Sequence, residues 1–89
     1  MNIRREHSLG ADEARTRVDG VAAEFGDRLG LKSEWQGDAL RISGSGVKGS
    51  IAIGDEFVEV DVNLGFALMF MESSIRSSIE AALDKHLAA

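Results

Sequence analysis

The chain has no cysteine, no proline and no tyrosine, and it carries only two histidines. Without cysteine no disulfide can staple the fold. Without proline the strongest breakers of helices and strands are missing, so the ten glycines must do the punctuation. Basic residues are also scarce: 10 Lys and Arg face 15 Asp and Glu, a net charge of −5 that repels a phosphate backbone and argues against nucleic acid as a partner. No run approaches the roughly 20 apolar residues of a membrane span, so no transmembrane segment is expected. Met1 to His7 holds two arginines with no apolar stretch behind them, which predicts no signal peptide and a cytoplasmic setting.

What is present is 44% apolar content in 89 residues, enough for one core and too little for two. A single α+β domain over residues 1–89 is therefore expected. Such a chain buries only about 60–65% of its unfolded surface, which leaves partner subunits something to add.

Between Ala11 and Leu29 the apolar residues Ala14, Val18, Val21, Ala22, Phe25 and Leu29 recur at helical spacing. Gly10 fits the N-cap, Asp12 and Glu13 the first turn, and Gly30 a left-handed C-terminal cap. Glu13 with Arg17, and Glu24 with Arg28, are i,i+4 pairs on the solvated side. From Lys32 to Leu64 the period changes to two, and Gly37-Asp38, Gly44-Ser45 and Gly54-Asp55 divide the stretch into a four-strand antiparallel meander.

If each dipeptide is a two-residue loop, Trp35 faces Leu40, Leu40 faces Gly49, and Gly49 faces Val60. The next row on that face holds Ser33, Ile42, Val47 and Val62, with Ile51 opposite Val58. The opposite face then carries Glu34, Arg41, Lys48 and Asp61, a charged row suited to water, with Phe57 and Ala52 as a small apolar spot. Helical spacing returns from Leu68 to Leu87, with Leu68, Met71, Ile75, Ile79, Ala82 and Leu83 on one stripe. Burying the charged row would be costly, so both helices should pack on the apolar face, α1 through Val18, Val21 and Phe25 and α2 through Ile75 and Ile79. The alternation of Ile3, Arg5 and His7 permits a fifth, edge strand.

Candidate chemistry is sparse. His7 and His86 stand at no ligand spacing, so no metal site is proposed. The glycines of Ser43 to Gly49 alternate as in a hairpin and form no phosphate-binding loop, so no cofactor is assigned. Asp12-Glu13 and Asp55-Glu56 are explained by a helix start and a turn, and no catalytic residue is named. One segment stands apart. In Gly65 to Met71, with Ile75 at the stripe centre, Phe70 falls about 140° away and Met69 lies on the flank. Phe66, Met69 and Phe70 are accordingly the candidate interaction patch, suited to a homodimer or a hydrophobic docking surface. The competing expectation is a helix that begins after Phe70, with these side chains tucked into the core. A second candidate rests on Gly49, which leaves space over the sheet for a helix backbone or for a small apolar ligand.

Several short stretches carry a resemblance: Ile3 to Leu9 leading into Asp12-Glu13-Ala14-Arg15, then Trp35-Gln36-Gly37-Asp38, Ser45-Gly46-Val47 and Leu64-Gly65-Phe66. Together they resemble the polyhydroxyalkanoic acid system (granule region) protein family across nearly the whole chain. Two places depart from its pattern: Gly10 stands where a serine cap is common, and Met69-Phe70-Met71-Glu72 replaces a Pro-Phe-Lys-Gly type of turn. The resemblance implies a small bacterial protein associated with genes for storage-polyester granules, in a family with no established enzymatic activity, and a non-enzymatic accessory role is expected. Its implied partners are a granule protein or the polyester surface, and no catalytic residue carries over.

Overall fold

The computed structural model describes residues 1–44 and 46–88. Strand β1 (Asn2–Glu6) leads into helix α1 (Ala11–Leu29) and then into β2 (Lys32–Gln36), β3 (Ala39–Gly44), β4 (Val47–Ile53) and β5 (Phe57–Leu64). A 3-10 helix (Phe66–Met71) and helix α2 (Glu72–His86) complete the order. The strands form one antiparallel sheet in the order β1-β5-β4-β3-β2, so the fold is α+β, with the meander as expected. The N-terminal segment is the fifth strand. It lies along β5 with Ile3 opposite Val60, and the Val62 N–H donates to the Met1 carbonyl at 2.8 Å.

Helix α1 has the bounds and caps its sequence predicts. Gly10 is the N-cap, Asp12 and Glu13 occupy the first turn, and Gly30 closes the helix in the left-handed region (φ 68°, ψ 30°) with its N–H donating to Gly26 at 2.9 Å. Helix α2 departs from expectation at its start. Residues 66–71 wind as a 3-10 helix, so the α-helix begins at Glu72 rather than Leu68.

Two of the three counted registers are also corrected. Trp35 faces Leu40 as expected, but Leu40 faces Ile51 rather than Gly49, and it is Ile51 that faces Val60. The cause lies in the turns. Strand β3 runs through Gly44, which pairs with Val47, so the chain reverses one residue later than Gly44-Ser45; Ser45 itself lies outside the described residues. Between β4 and β5 the loop is longer than two residues: Ile53 pairs with Val58, not Ile51, and the Gly54 N–H donates to the Phe57 carbonyl at 2.8 Å. Each correction moves a partner by two positions, and a shift of two leaves every side chain on its face.

The apolar rows are thus Trp35, Leu40, Ile51, Val60, Ile3 and, beside it, Ser33, Ile42, Gly49, Val62, while Val47 pairs with Leu64. On the other face Arg41 lies opposite Glu34 and Ser50, and Ser50 opposite Asp61, with Lys48 one row along between Ser43 and Asn63. Arg4 joins this face and lays its guanidinium 4.1 Å above the Phe57 ring, covering part of the apolar spot.

Both helices cover the apolar face. The buried cluster joins Ile3, Leu40, Ile51, Val58, Val60 and Val62 to Ala14, Val18 and Val21 of α1 and to Ala82, Leu83 and Leu87 at the far end of α2. Phe25 and Ile79 pack against that cluster half-buried. Replacing Val60, 2% exposed on the inner face of β5, with aspartate places an unpaired carboxylate in the core, at a cost of several kcal/mol against a total stability of about 5–15. Val60→Asp should therefore unfold the protein, whereas Glu59→Ala on the opposite face should barely move the thermal midpoint. Equal midpoints would invert the assignment of faces.

Candidate functional site: an apolar groove and its rim

The two helices are fastened to the sheet and to each other by polar side chains at their margins. Over β2, the Trp35 Nε1–H donates to Asp19 of α1 at 2.8 Å, and the Arg15 guanidinium sits 4.1 Å above the Trp35 ring while donating to the Gly37 carbonyl. Over β1, Arg5 donates to Glu80 at 2.8 Å and to Asp84 at 3.1 Å of α2. The hydrogen bond to Glu80, then that to Asp84, raises the Arg5 pKa above its ordinary value, so this cation stays charged at any accessible pH.

The helices meet at the C-terminal end of α2. Arg17 donates to the His86 and Ala88 carbonyls at 2.9 and 3.1 Å, and His86 packs against Gly20. Glu24 does not pair with Arg28 as its spacing suggests. It turns to α2 instead, 3.3 Å from His86 Nε2 and 3.8 Å from Lys85 Nζ. Arg17 keeps its expected partner Glu13 at 2.9 Å.

Away from that junction the helices part, and the space between them is an apolar groove of ≈ 240 Å³. Its walls are Val21, Ala22, Phe25 and Leu29 from α1, and Leu68, Met71, Ile75 and Ile79 from the 3-10 helix and α2. Its floor includes Ser33, Ile42, Gly49 and Val62 of the inner sheet face. Among the described residues no charged side chain lines it. The reason is legible in that strand row: Ser33 and Gly49 are too small to fill the height beneath two diverging helices. Gly49 has a further constraint, since a Cβ there would sit 2.6 Å from the Asp61 carbonyl oxygen of β5. It therefore permits the close approach of two strands, and no helix backbone fills the space above it.

The 3-10 helix forms the lip of the groove. The Gly65 N–H donates to the Gly46 carbonyl at 2.6 Å and the Leu68 N–H to Gly65 at 2.9 Å, which pins this turn against the β3–β4 reversal. With three residues per turn, positions three apart share a side. Leu68 and Met71 share the side that faces the groove, which leaves Phe66, Met69 and Phe70 pointing away. Phe66 is 92% exposed, Phe70 84% and Met69 57%. Phe66 and Met69 share a second side of this two-turn helix and Phe70 lies on the third, all three exposed. The helix does begin after Phe70, as the competing expectation had it, but the side chains are not tucked into the core.

The histidines are engaged elsewhere. His7 accepts from the Leu9 N–H at Nδ1 (3.1 Å), which leaves Nε2 to donate to the Gly54 carbonyl (3.1 Å). His7 thus ties the β1–α1 connection to the loop between β4 and β5, and among the described residues no three His, Cys, Asp or Glu side chains are grouped to hold a metal ion. No helix among them is long and apolar enough to cross a membrane.

Fold and site together define a small α+β protein whose distinguishing surface is apolar and concave, with an aromatic rim. The chain belongs to the family described as putative polyhydroxyalkanoic acid system protein, whose model matches residues 1–87. No match among curated proteins or solved structures accompanies it.

The sequence pointed to the rim, and through Gly49 to space over the sheet for a helix backbone or a small ligand; the groove lies there with Ser33 beside Gly49 on its floor, a contribution that the sequence alone did not single out. Gly49→Ala should lower stability by about 1–3 kcal/mol, because the new methyl forces β4 and β5 apart. In a chain of this size that is a fall of about 4–8 °C in thermal midpoint per kcal/mol. Lys48→Ala, next to it but exposed on the outer face, should change stability by no more than about 0.5 kcal/mol.

Proposed function

We propose that this protein is a non-enzymatic accessory protein of the polyhydroxyalkanoate storage-granule system. It works in the cytoplasm at the granule, contacting the polyester surface or a granule protein through Phe66, Met69 and Phe70. Membership of the family supports the system. The observation that carries the contact surface is the exposure of two phenylalanine rings, 92% and 84%, on a single short 3-10 helix. Rings so placed lose most of their contact with water only against a partner, and contiguous apolar patches of this kind mark interaction sites. The test is fractionation of granule-bearing cells that carry the wild-type protein or Phe66→Ser/Phe70→Ser. Wild-type protein should sediment with the granules and the double variant should remain in the supernatant, with both showing the same circular dichroism. Wild-type protein left wholly in the supernatant beside abundant granules would defeat the reading.

The groove favours a second reading, a carrier of a small apolar, acyl-type ligand. An apolar cavity of about 150 Å³ already holds benzene, and this one is larger. Native mass spectrometry after gentle purification decides it: a carrier should show a stoichiometric adduct that disappears on extraction with organic solvent.

A further inference from the structure

We infer that the groove between the helices receives the Phe70 ring of a second copy of this chain, the two copies exchanging rings across a two-fold axis beside the 3-10 helix. This goes beyond the granule contact by assigning the patch a second copy of the chain as partner, and it rests on that reading only for the premise that Phe66, Met69 and Phe70 form a contact surface.

Three observations converge on this occupant. The first is placement. One 3-10 helix of six residues supplies both halves of the contact, since Leu68 and Met71 form part of the wall of the hole while Phe66 and Phe70 project outward from the helix's other sides. A two-fold contact demands a surface that is complementary to itself, with knob and hole side by side. Phe70 cannot fill its own groove, because its turn already presents Leu68 and Met71 to that side.

The second is size. The groove offers ≈ 240 Å³, against the roughly 150 Å³ that accommodates a benzene ring, so a phenylalanine side chain enters with room for part of a neighbouring methionine. The third is area. A standard interface needs about 800 Å² from each partner. At about 150–250 Å² per aromatic side chain, two nearly fully exposed rings supply close to half of that. Met69 and Met71, 57% and 42% exposed, together with the open groove walls, supply the rest. A small ligand would fill the groove but leave both rings in water. A second copy accounts for the hole and the knobs at once.

The experiment is sedimentation velocity across a concentration series, run on four proteins with circular dichroism and thermal midpoints recorded for each. Wild-type protein should dimerise, more tightly at high salt because two chains of net charge −5 repel each other. Phe70→Ser should raise the dissociation constant at least tenfold with its midpoint unchanged. Ala22→Phe and Ser33→Phe, which fill the groove from its wall and its floor, should do the same while Phe66 and Phe70 remain available; if one of them fails to fold, the other carries the arm. A mixture of Phe70→Ser, which keeps the hole, with a groove-filled variant, which keeps the knob, should form a heterodimer that neither forms alone.

Wild-type protein that stays monomeric at the highest concentration overturns the inference, as does a dimer that the groove-filled variants form as tightly as wild type. So does a monomer carrying a stoichiometric small molecule in native mass spectrometry. If Phe70→Ser loses granule association while the wild-type protein is monomeric, the contact surface stands and the second copy falls. If Phe70→Ser alters neither association, both fall.

Discussion

One constraint governs the rest of the structure: the sheet is apolar on a single face, and two helices must cover it. Five strands spaced by about 4.8 Å span roughly 19 Å, and two helices of about 10 Å diameter laid side by side span nearly the same width. Coverage is thus sufficient only if the helices stay together along their length. They do not. They are held together near the C-terminal end of α2 by Arg17, Glu24, Lys85 and His86, and they separate toward the end of α1 and the start of α2. The groove is what remains of the sheet face that two diverging helices cannot reach.

The polar contacts around the helices set that divergence more than they add stability. Exposed ion pairs are worth about 0–1 kcal/mol each. Arg5 gripping Glu80 and Asp84 fixes α2 over the β1 side, and Trp35 with Asp19 and Arg15 fixes α1 over the β2 side. The two helices are thereby tied to opposite margins of the sheet. Phe25 and Ile75 accordingly line the two walls of the groove.

Much of this was legible in the sequence, and the failures have definite causes. Period and punctuation located α1, the meander and the sidedness of the sheet, because burial on one face enforces parity strongly. Turn geometry was less visible: Gly44-Ser45 and Gly54-Asp55 have the composition of two-residue loops, but the pairs Gly44 with Val47 and Ile53 with Val58 show otherwise. Parity absorbed both slips. The start of α2 was misplaced because Leu68, Met71 and Ile75 fit a helical stripe equally well whether the first turn is α or 3-10. The exposure of Phe66 and Phe70 survived that error. The groove depended on the divergence of the helices, and divergence is written in long-range contacts such as Glu24 with His86 that no local pattern reveals.

The position of β1 also orders the way the chain comes together. The hairpins of the meander close over short loops, so their entropy of closure is small, but Ile3 must find Val60 across α1 and three intervening strands. Strand β1 is the seam of the fold: its pairing with β5 closes the longest loop in the sheet, and through Arg5 it carries the anchorage of α2 with it.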